Sequence, residues 1–149
     1  MSCLKYTISD FGVNNFNKFF TIWYGVYDTA TRTLRYGSAG HPPALVFNGR
    51  PSRSLKSGSL MIGVSAEETF ETYSEEVPPG SRLYVYSDGV SEIHKAEGGL
   101  LNIDGLIELL AEVAGEKGSR VERLLHQAQA LQGSSEFQDD FSLVEVEFS

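Results

Sequence analysis

The sequence predicts an α+β protein in which several strands come first, two helices follow and one strand closes the chain. Segments rich in β-branched and aromatic residues, such as "TIWYGVYD" and "RLYVYSDG", occupy the first part of the chain. Further on, the apolar period changes from two to about 3.6, which is typical of helices. Because the strand segments follow one another without intervening helices, we expect antiparallel sheets and not a doubly wound parallel sheet.

Four strand segments precede "RLYVYSDG". "TIWYGVYD" and "TLRYGSAG" are separated by the turn "TATR" and predict a hairpin, and "PALVFNGR" predicts a third strand that ends at an Asn-Gly turn. Residues 51–65 mix glycine, serine and proline and predict an irregular loop. "TFETYSEEV" then alternates over part of its length, which indicates a half-exposed strand.

The last third of the chain carries two helix patterns and a closing strand. We expect Asp104 to cap a first helix that ends near Gly115. Ser119 and Glu122 form a capping-box pattern for a second helix that ends near Gly133. The closing strand, "FSLVEVEF", alternates valines with glutamates and predicts one wet face, which we assign to the glutamates.

Composition restricts the classes of function. The chain has 149 residues and a net charge of −8, which suits one acidic domain and disfavours nucleic acid as a partner, because phosphate binding needs clustered Lys and Arg. A single cysteine excludes a disulfide within the chain. No apolar run approaches membrane-spanning length, so we expect a cytoplasmic protein without a membrane partner.

Carboxylates stand at two strand boundaries. Asp88 follows "LYVYS", and Asp139 and Asp140 directly precede "FSLVEV". A carboxylate at the end of a strand is held by a rigid element yet faces solvent, which suits oxygen-preferring ions such as Mg²⁺ or Mn²⁺. Each segment alone is more typical of an ordinary turn or a solvated loop end than of a metal site.

The segment "AGHPPALV" contains the most unusual histidine, His41, whose backbone two prolines restrict. No second histidine lies at zinc spacing and no nucleophile elbow accompanies it. Spacing alone therefore favours a structural histidine over a functional one. His94 and His126 are expected at the surface, and Cys3 lacks the basic surroundings of a reactive thiol.

Five segments in this order resemble the bacterial SpoIIE/RsbU-type serine phosphatases of the PP2C-like metal-dependent (PPM) superfamily: "FFTIWYGVYD", "TLRYGSAGHPPALV", "LYVYSDGVSEI", "GLLNIDGLIELL" and "FQDDFSLVEVEF". The resemblance runs from about Phe19 to Phe148. It implies a β-sandwich of two antiparallel sheets flanked by helices, in the order α-β-β-α. It also implies metal-dependent hydrolysis of phosphoserine on a STAS-type anti-anti-sigma regulator.

The resemblance also implies roles for particular residues. Asp88 of "SDG" and Asp139, the first aspartate of "DD", correspond to metal ligands of a site that holds two Mg²⁺ or Mn²⁺ ions. Gly89 and Asp140 correspond to supporting positions. His41 corresponds to a residue near the site that is not a core ligand and that contacts the substrate or a metal-bound water.

One departure from the family pattern affects these expectations. Family members carry further carboxylates in a "GD" stretch and a "D-x-x-G-H-G" stretch, and neither occurs here. We therefore expect residues 1–149 to form the C-terminal portion of one phosphatase domain that lacks its N-terminal strands and helix. In that portion residues 1–18 would be irregular or the end of a helix, and a sensor domain could lie upstream.

The departure has two physical consequences. With fewer carboxylates, metal binding and hydrolysis should be weak. Open sheet edges should favour self-association. The alternative to a phosphatase is a non-catalytic binding or regulatory module that keeps the scaffold. An unrelated α+β domain would have to match five ordered segments by chance.

Overall fold

A computed structural model describes residues 19–49, 52–65, 69–114 and 119–149. The elements in these ranges are β1 (Ile22–Asp28), β2 (Thr33–Ala39), β3 (Ala44–Phe47), β4 (Arg53–Leu55), β5 (Tyr73–Glu76), β6 (Arg82–Tyr86), α1 (Asp88–Ser91), α2 (Asn102–Val113), α3 (Arg120–Gln132) and β7 (Leu143–Glu147). The order of strands, then helices, then a closing strand confirms the predicted α+β class. None of these helices is long and apolar enough to cross a membrane.

The strands form two sheets, and the chain divides into two compact units. One sheet has the order β1-β2-β5 and the other β4-β3-β6-β7. The pairings β1–β2, β2–β5, β3–β6 and β6–β7 are all antiparallel. The first unit holds the described residues of Met1–Pro43 and Leu55–Pro79, and the second those of Ala44–Ser54 and Gly80–Ser149. The single domain over residues 1–149 stays a prediction, and residues 1–18 lie outside the described ranges.

The predicted hairpin is present in the first unit. Asp28 pairs with Thr33 at its end, and the Asp28 Oδ1 atom accepts hydrogen bonds from the N–H groups of Ala30 (2.9 Å) and Thr31 (3.2 Å). An aspartate that bonds the backbone two and three residues ahead is typical of a tight turn. These bonds to the charged carboxylate, that from Thr31 first, lower the pKa of Asp28 below 3.8.

Aromatic rings cover one face of the sheet in the first unit. The Trp23 and Tyr36 rings stack at 5.9 Å between centroids, and the Tyr36 and Tyr73 rings at 5.6 Å. Gly25 makes room for this arrangement, because a Cβ there would lie 2.7 Å from the Trp23 Cη2 atom. The indole therefore lies flat along the strand that carries it.

The core of the second unit lies between its sheet and its helices. Side chains from β3 and β6 face apolar stripes of the three helices, as the helical periodicity predicts. The buried members of this cluster are Leu45, Tyr84, Tyr86, Val90, Ile93, Leu101, Leu106, Leu110, Leu124 and Ala128.

One of the two predicted helix starts is confirmed and the other is wrong. The Ser119 Oγ atom accepts a hydrogen bond from the Glu122 N–H at 3.2 Å, as the capping box predicts. This helix, α3, ends at Gly133 as predicted, and the left-handed φ of 72° there favours glycine. Asp104, however, lies in the first turn of α2, because the Asn102 Oδ1 atom accepts from the Gly105 N–H at 2.9 Å and begins the helix two residues earlier.

Two short elements were not predicted. β4 lies inside the segment expected to be an irregular loop, and α1 begins at the Asp-Gly pair that was interpreted as a turn. A strand of three residues and a helix of four are too short to show a hydrophobic period.

The predicted alternation of β7 holds at Glu147, which is exposed, and at Phe148, which is buried, but it is wrong in the middle of the strand. Val144 and Val146 are exposed, whereas Glu145 is half-buried. The Glu145 carboxylate accepts a hydrogen bond from the Tyr84 hydroxyl at 2.5 Å and lies 3.7 Å from the Arg120 guanidinium. Charged and hydroxyl partners on the helix side of the sheet therefore reverse the orientation that valine and glutamate would adopt by hydrophobicity alone.

The Asp28 turn gives a pH-dependent contribution to stability. Since the pKa in the folded chain lies below the unfolded value of 3.8, the ionised carboxylate stabilises the fold above that pH, and this contribution is lost as the pH falls through the folded value. We expect Asp28→Asn to lower the urea midpoint at pH 7 and to lower it less at pH 3, because the contribution falls as the pH approaches the folded pKa. Urea unfolding at both pH values measures this, with the exposed Glu112→Gln in α2 as a control; an equal loss at both would contradict it.

Candidate functional site

The register of the second sheet brings two of the acidic segments together. Tyr86, the last residue of β6, pairs with Leu143, the first residue of β7. Asp88 follows β6 by one residue and begins α1, and Asp139 and Asp140 lie just before β7. Because the two strands are antiparallel neighbours, the segment that leaves β6 lies beside the segment that enters β7.

Ser87 joins the two segments through three hydrogen bonds. Its N–H donates to the Ser142 carbonyl at 2.9 Å, and its hydroxyl accepts from the Ser142 N–H at 3.0 Å. The same hydroxyl donates to the Asp140 carbonyl at 2.7 Å. This serine was not predicted from the sequence, where the available signal was a hydroxyl residue at the point where a strand ends.

Gly89 allows the segments to approach closely. A Cβ at this position would lie 2.5 Å from the Asp140 carbonyl oxygen and 3.4 Å from the Asp139 Cβ. Gly89 is buried and lies within α1, so the reason for glycine here is space and not an unusual φ. Asp140 thus contributes through its backbone carbonyl, which meets both Ser87 and Gly89.

The two predicted ligand carboxylates are exposed, and each is oriented by one main-chain hydrogen bond. The Gly89 N–H donates to Asp88 Oδ1 at 3.0 Å, and the Asp140 N–H donates to Asp139 Oδ1 at 2.8 Å. Within the described ranges, no bond occupies the second oxygen of either carboxylate. Oxygen atoms held in this way have the chemistry that Mg²⁺ and Mn²⁺ prefer.

The donor set nevertheless falls short of a complete cation site. Among the described residues, no group of three or more His, Cys, Asp or Glu side chains is placed to hold a metal ion. The arrangement therefore supplies two oriented carboxylates, and further ligands would have to be water, substrate or groups beyond the described ranges.

His41 belongs to the first unit, whereas the aspartates belong to the second. The preceding residue, Gly40, holds the loop in place. It has a φ of 62°, its N–H donates to the Ser59 carbonyl at 3.1 Å, and it packs against Met61. The His41 Nδ1 atom lies 2.8 Å from the Pro42 carbonyl oxygen, which can only accept. We therefore assign the proton to Nδ1, which leaves Nε2 as an acceptor in the neutral ring.

The other two histidines lie at the surface, as predicted. His94 is exposed in the loop after α1, and His126 is exposed on α3. Neither histidine is among the residues that join the end of β6 to the start of β7.

The family model for Stage II sporulation protein E (SpoIIE) matches residues 2–149. The chain belongs to the SpoIIE family. Over 128 residues it is 23% identical to "Phosphoserine phosphatase RsbU" of Bacillus subtilis, a match that covers 85% of this chain and 38% of RsbU. Over 75 residues it is 35% identical to "Protein IcfG" of Synechocystis, which covers 50% of this chain and 12% of IcfG.

Solved structures confirm the PP2C-like fold predicted for this SpoIIE-family chain. It is similar to the PP2C domain of SiaA from Pseudomonas aeruginosa, with a TM-score of 0.83, 16% identity and coverage of 97% of this chain and 58% of that one. It is also similar to the Mn-presoaked phosphatase domain of SpoIIE from B. subtilis, with a TM-score of 0.66, 18% identity and coverage of 86% and 56%. The SpoIIE-family chain thus spans less than three fifths of these two domains.

The close approach at Gly89 gives a testable expectation. Gly89→Ala should push the Asp140 backbone away and lower the free energy of unfolding by about 1–3 kcal/mol, because the new methyl group meets a carbonyl and not a flexible side chain. Urea unfolding measures the loss. Gly58→Ala is the matched control, since a Cβ there meets nothing within 4 Å. Equal stabilities of the two variants would contradict the role assigned to Gly89.

Proposed function

We propose that this chain forms the C-terminal portion of a metal-dependent protein serine/threonine phosphatase domain that acts in the cytoplasm. The observation that carries the proposal is the junction made by Ser87 and Gly89, which orients the carboxylates of Asp88 and Asp139 at one corner of the second unit. Membership of the SpoIIE family supports it, as does the name of RsbU, a phosphoserine phosphatase.

In this proposal Asp88 and Asp139 hold Mg²⁺ or Mn²⁺ through the oxygens that the main chain leaves free. When bound, such an ion lowers the pKa of a coordinated water and stabilises charge on a transferring phosphoryl group. Ser87 and Gly89 fix the positions of the carboxylates, and the Asp140 carbonyl completes the junction. Because only two carboxylates among the described residues are oriented here, we expect weak binding by this chain.

His41 is proposed to bind the phosphoryl group of the substrate. Its Nδ1 proton is used by the Pro42 carbonyl, so Nε2 is the atom available to substrate. Protonated at Nε2, the ring would donate a hydrogen bond to a phosphate oxygen, and a charge-assisted bond of this kind is among the stronger ones.

The proposed substrate is phosphoserine on a STAS-type regulatory protein. A Mycobacterium tuberculosis protein whose structure contains RsbU and RsbW domains has a TM-score of 0.66 to this chain and 24% identity. The coexistence of these two domains in one relative supports a role in a signalling pathway. An upstream sensor domain is part of the same proposal, because RsbU and IcfG extend well beyond the matched region.

A titration with Mn²⁺ tests the ligand assignment. We expect weak binding by the wild-type chain in calorimetry, and about tenfold or greater loss for Asp88→Asn or Asp139→Asn, because each removes one charged ligand. Asp104→Asn, an exposed aspartate in α2, is the matched control. Release of phosphate from a phosphoserine STAS protein should fall in the same two site variants and stay at the wild-type level in Asp104→Asn. Undiminished binding in both site variants would overturn the assignment.

Three variants of His41 separate a structural role from a substrate role. Asn carries an N–H near the position of Nδ1, Gln carries a polar group near Nε2, and Ala carries neither. If the ring contacts substrate, His41→Gln should retain more Mn²⁺-dependent hydrolysis than His41→Asn, with all three thermal midpoints close to that of wild type. A stability loss in Ala and Gln that Asn alone restores would make the residue structural.

A non-catalytic binding module is the second candidate. The observation that favours it is the lack, among the described residues, of any three ligand side chains grouped for a metal ion. This function predicts that the chain binds the phosphorylated STAS protein in calorimetry without Mn²⁺, and that it releases no phosphate in the assay above.

A further inference from the structure

The loop between α3 and β7 carries Asp139 near its centre. Residues 133–142 are exposed except for Phe137 and Phe141, which are partly buried. Both phenylalanines pack against the core cluster of the second unit. These two side chains are therefore the apolar attachment of an otherwise polar segment.

The two phenylalanine rings stack on each other. Their centroids lie 4.3 Å apart, with an interplanar angle of 19°. Aromatic pairs prefer centroid separations of about 4.5–7 Å and contribute beyond the area that they bury, so this contact is a close one. The chain bends at residues 138 and 139, between the two rings. Residues 138–140 therefore form a turn that the stack closes at its base, and Asp139 lies in the middle of that turn.

Hydrogen bonds hold the loop on both sides of the stack. On the α3 side, the Glu136 carbonyl accepts from the side-chain amide of Gln132 and from the Ser134 hydroxyl, the latter at 3.2 Å. On the β7 side, the Ser142 N–H donates to the Ser87 hydroxyl at 3.0 Å. The residue before the first ring and the residue after the second are thus both fixed, and the stack joins these two points across the base of the turn.

We propose that Phe137 and Phe141 are positioning residues for Asp139, because their stack fixes where the Asp139 carboxylate lies relative to Asp88. The effect on metal binding rests on the proposed function, in which both carboxylates are ligands, whereas the effect on the loop does not. Outer contacts that orient a metal ligand typically change metal affinity by about 10–100-fold when they are removed.

Ordinary core packing is the alternative role for these rings. The two roles differ in how the side chains depend on each other. A stack is lost when either ring is removed, so the removal of the second ring should add little. Two side chains that fill the core independently should give losses that add.

Amide hydrogen exchange of the metal-free whole chain, followed by NMR, tests the effect on the loop. We expect Phe137→Leu and Phe141→Leu each to accelerate exchange at the hydrogen-bonded N–H groups of Asp140 and Ser142 about threefold or more, because leucine keeps an apolar side chain but cannot stack. The double variant should exchange at nearly the same rate as either single variant.

Calorimetric titration with Mn²⁺ tests the effect on metal binding. Phe137→Leu and Phe141→Leu should each weaken Mn²⁺ binding by the whole chain about threefold to tenfold. This loss is smaller than that expected for Asp139→Asn, because the carboxylate is kept and only its position changes. Again the double variant should bind nearly as well as either single variant.

Phe47→Leu is the matched control for both measurements. Phe47 packs against the same core cluster, and its ring meets that of Tyr84 edge-on at 5.5 Å. It lies on β3 and pairs with Arg82, the first residue of β6, at the opposite end of that strand from Ser87. We expect wild-type exchange in the loop and wild-type Mn²⁺ affinity, and circular dichroism should show that all the variants stay folded.

The results separate a failure of the positioning role from a failure of the proposed function. Wild-type exchange and Mn²⁺ affinity in both single leucine variants, while Asp139→Asn loses binding, would overturn the positioning role alone. Losses that add in the double variant, or that Phe47→Leu reproduces, would make the rings ordinary core packing. Faster exchange in the leucine variants, together with Mn²⁺ binding that Asp139→Asn does not weaken, would support the role of the stack in the loop and contradict the ligand assignment.

Discussion

The acidic residues between β6 and β7 depend on the hydrogen bonds that the Ser87 hydroxyl makes. This hydroxyl accepts from one backbone group and donates to another, both on the segment that enters β7. A side chain that satisfies two main-chain groups at a strand end replaces the ladder bonds that the sheet can no longer provide there. The positions of Asp88, Gly89, Asp139 and Asp140 all follow from this junction.

The junction also explains why a glycine, Gly89, directly follows the acidic residue Asp88. Gly89 must come directly after the acid, because any Cβ would meet the Asp140 carbonyl. The same glycine supplies the N–H that orients Asp88. One residue without a side chain therefore both permits the approach of the two segments and sets the direction of a carboxylate.

Sequence patterns predicted the succession of strands and helices along the chain, the β1–β2 hairpin and the capped start of α3, because each depends on local periodicity, turn or capping chemistry. They failed at β7, where Glu145 is half-buried and Val144 is exposed, because the deciding partners, Tyr84 and Arg120, lie on other elements. The same limit applies to the candidate site. The motifs predict Asp88 and Asp139 as metal ligands through a family resemblance, which stays a prediction, whereas the contacts of Ser87 follow only from the pairing of β6 with β7.

The two units differ in a way that makes them separately observable. The chain has a single tryptophan, Trp23, and it lies in the first unit, stacked on Tyr36. All the described helices lie in the second unit. Intrinsic tryptophan fluorescence therefore follows the aromatic face of the first sheet, whereas the helical circular dichroism signal follows the second unit, and whether the two unfolding curves coincide measures how cooperatively the halves fold.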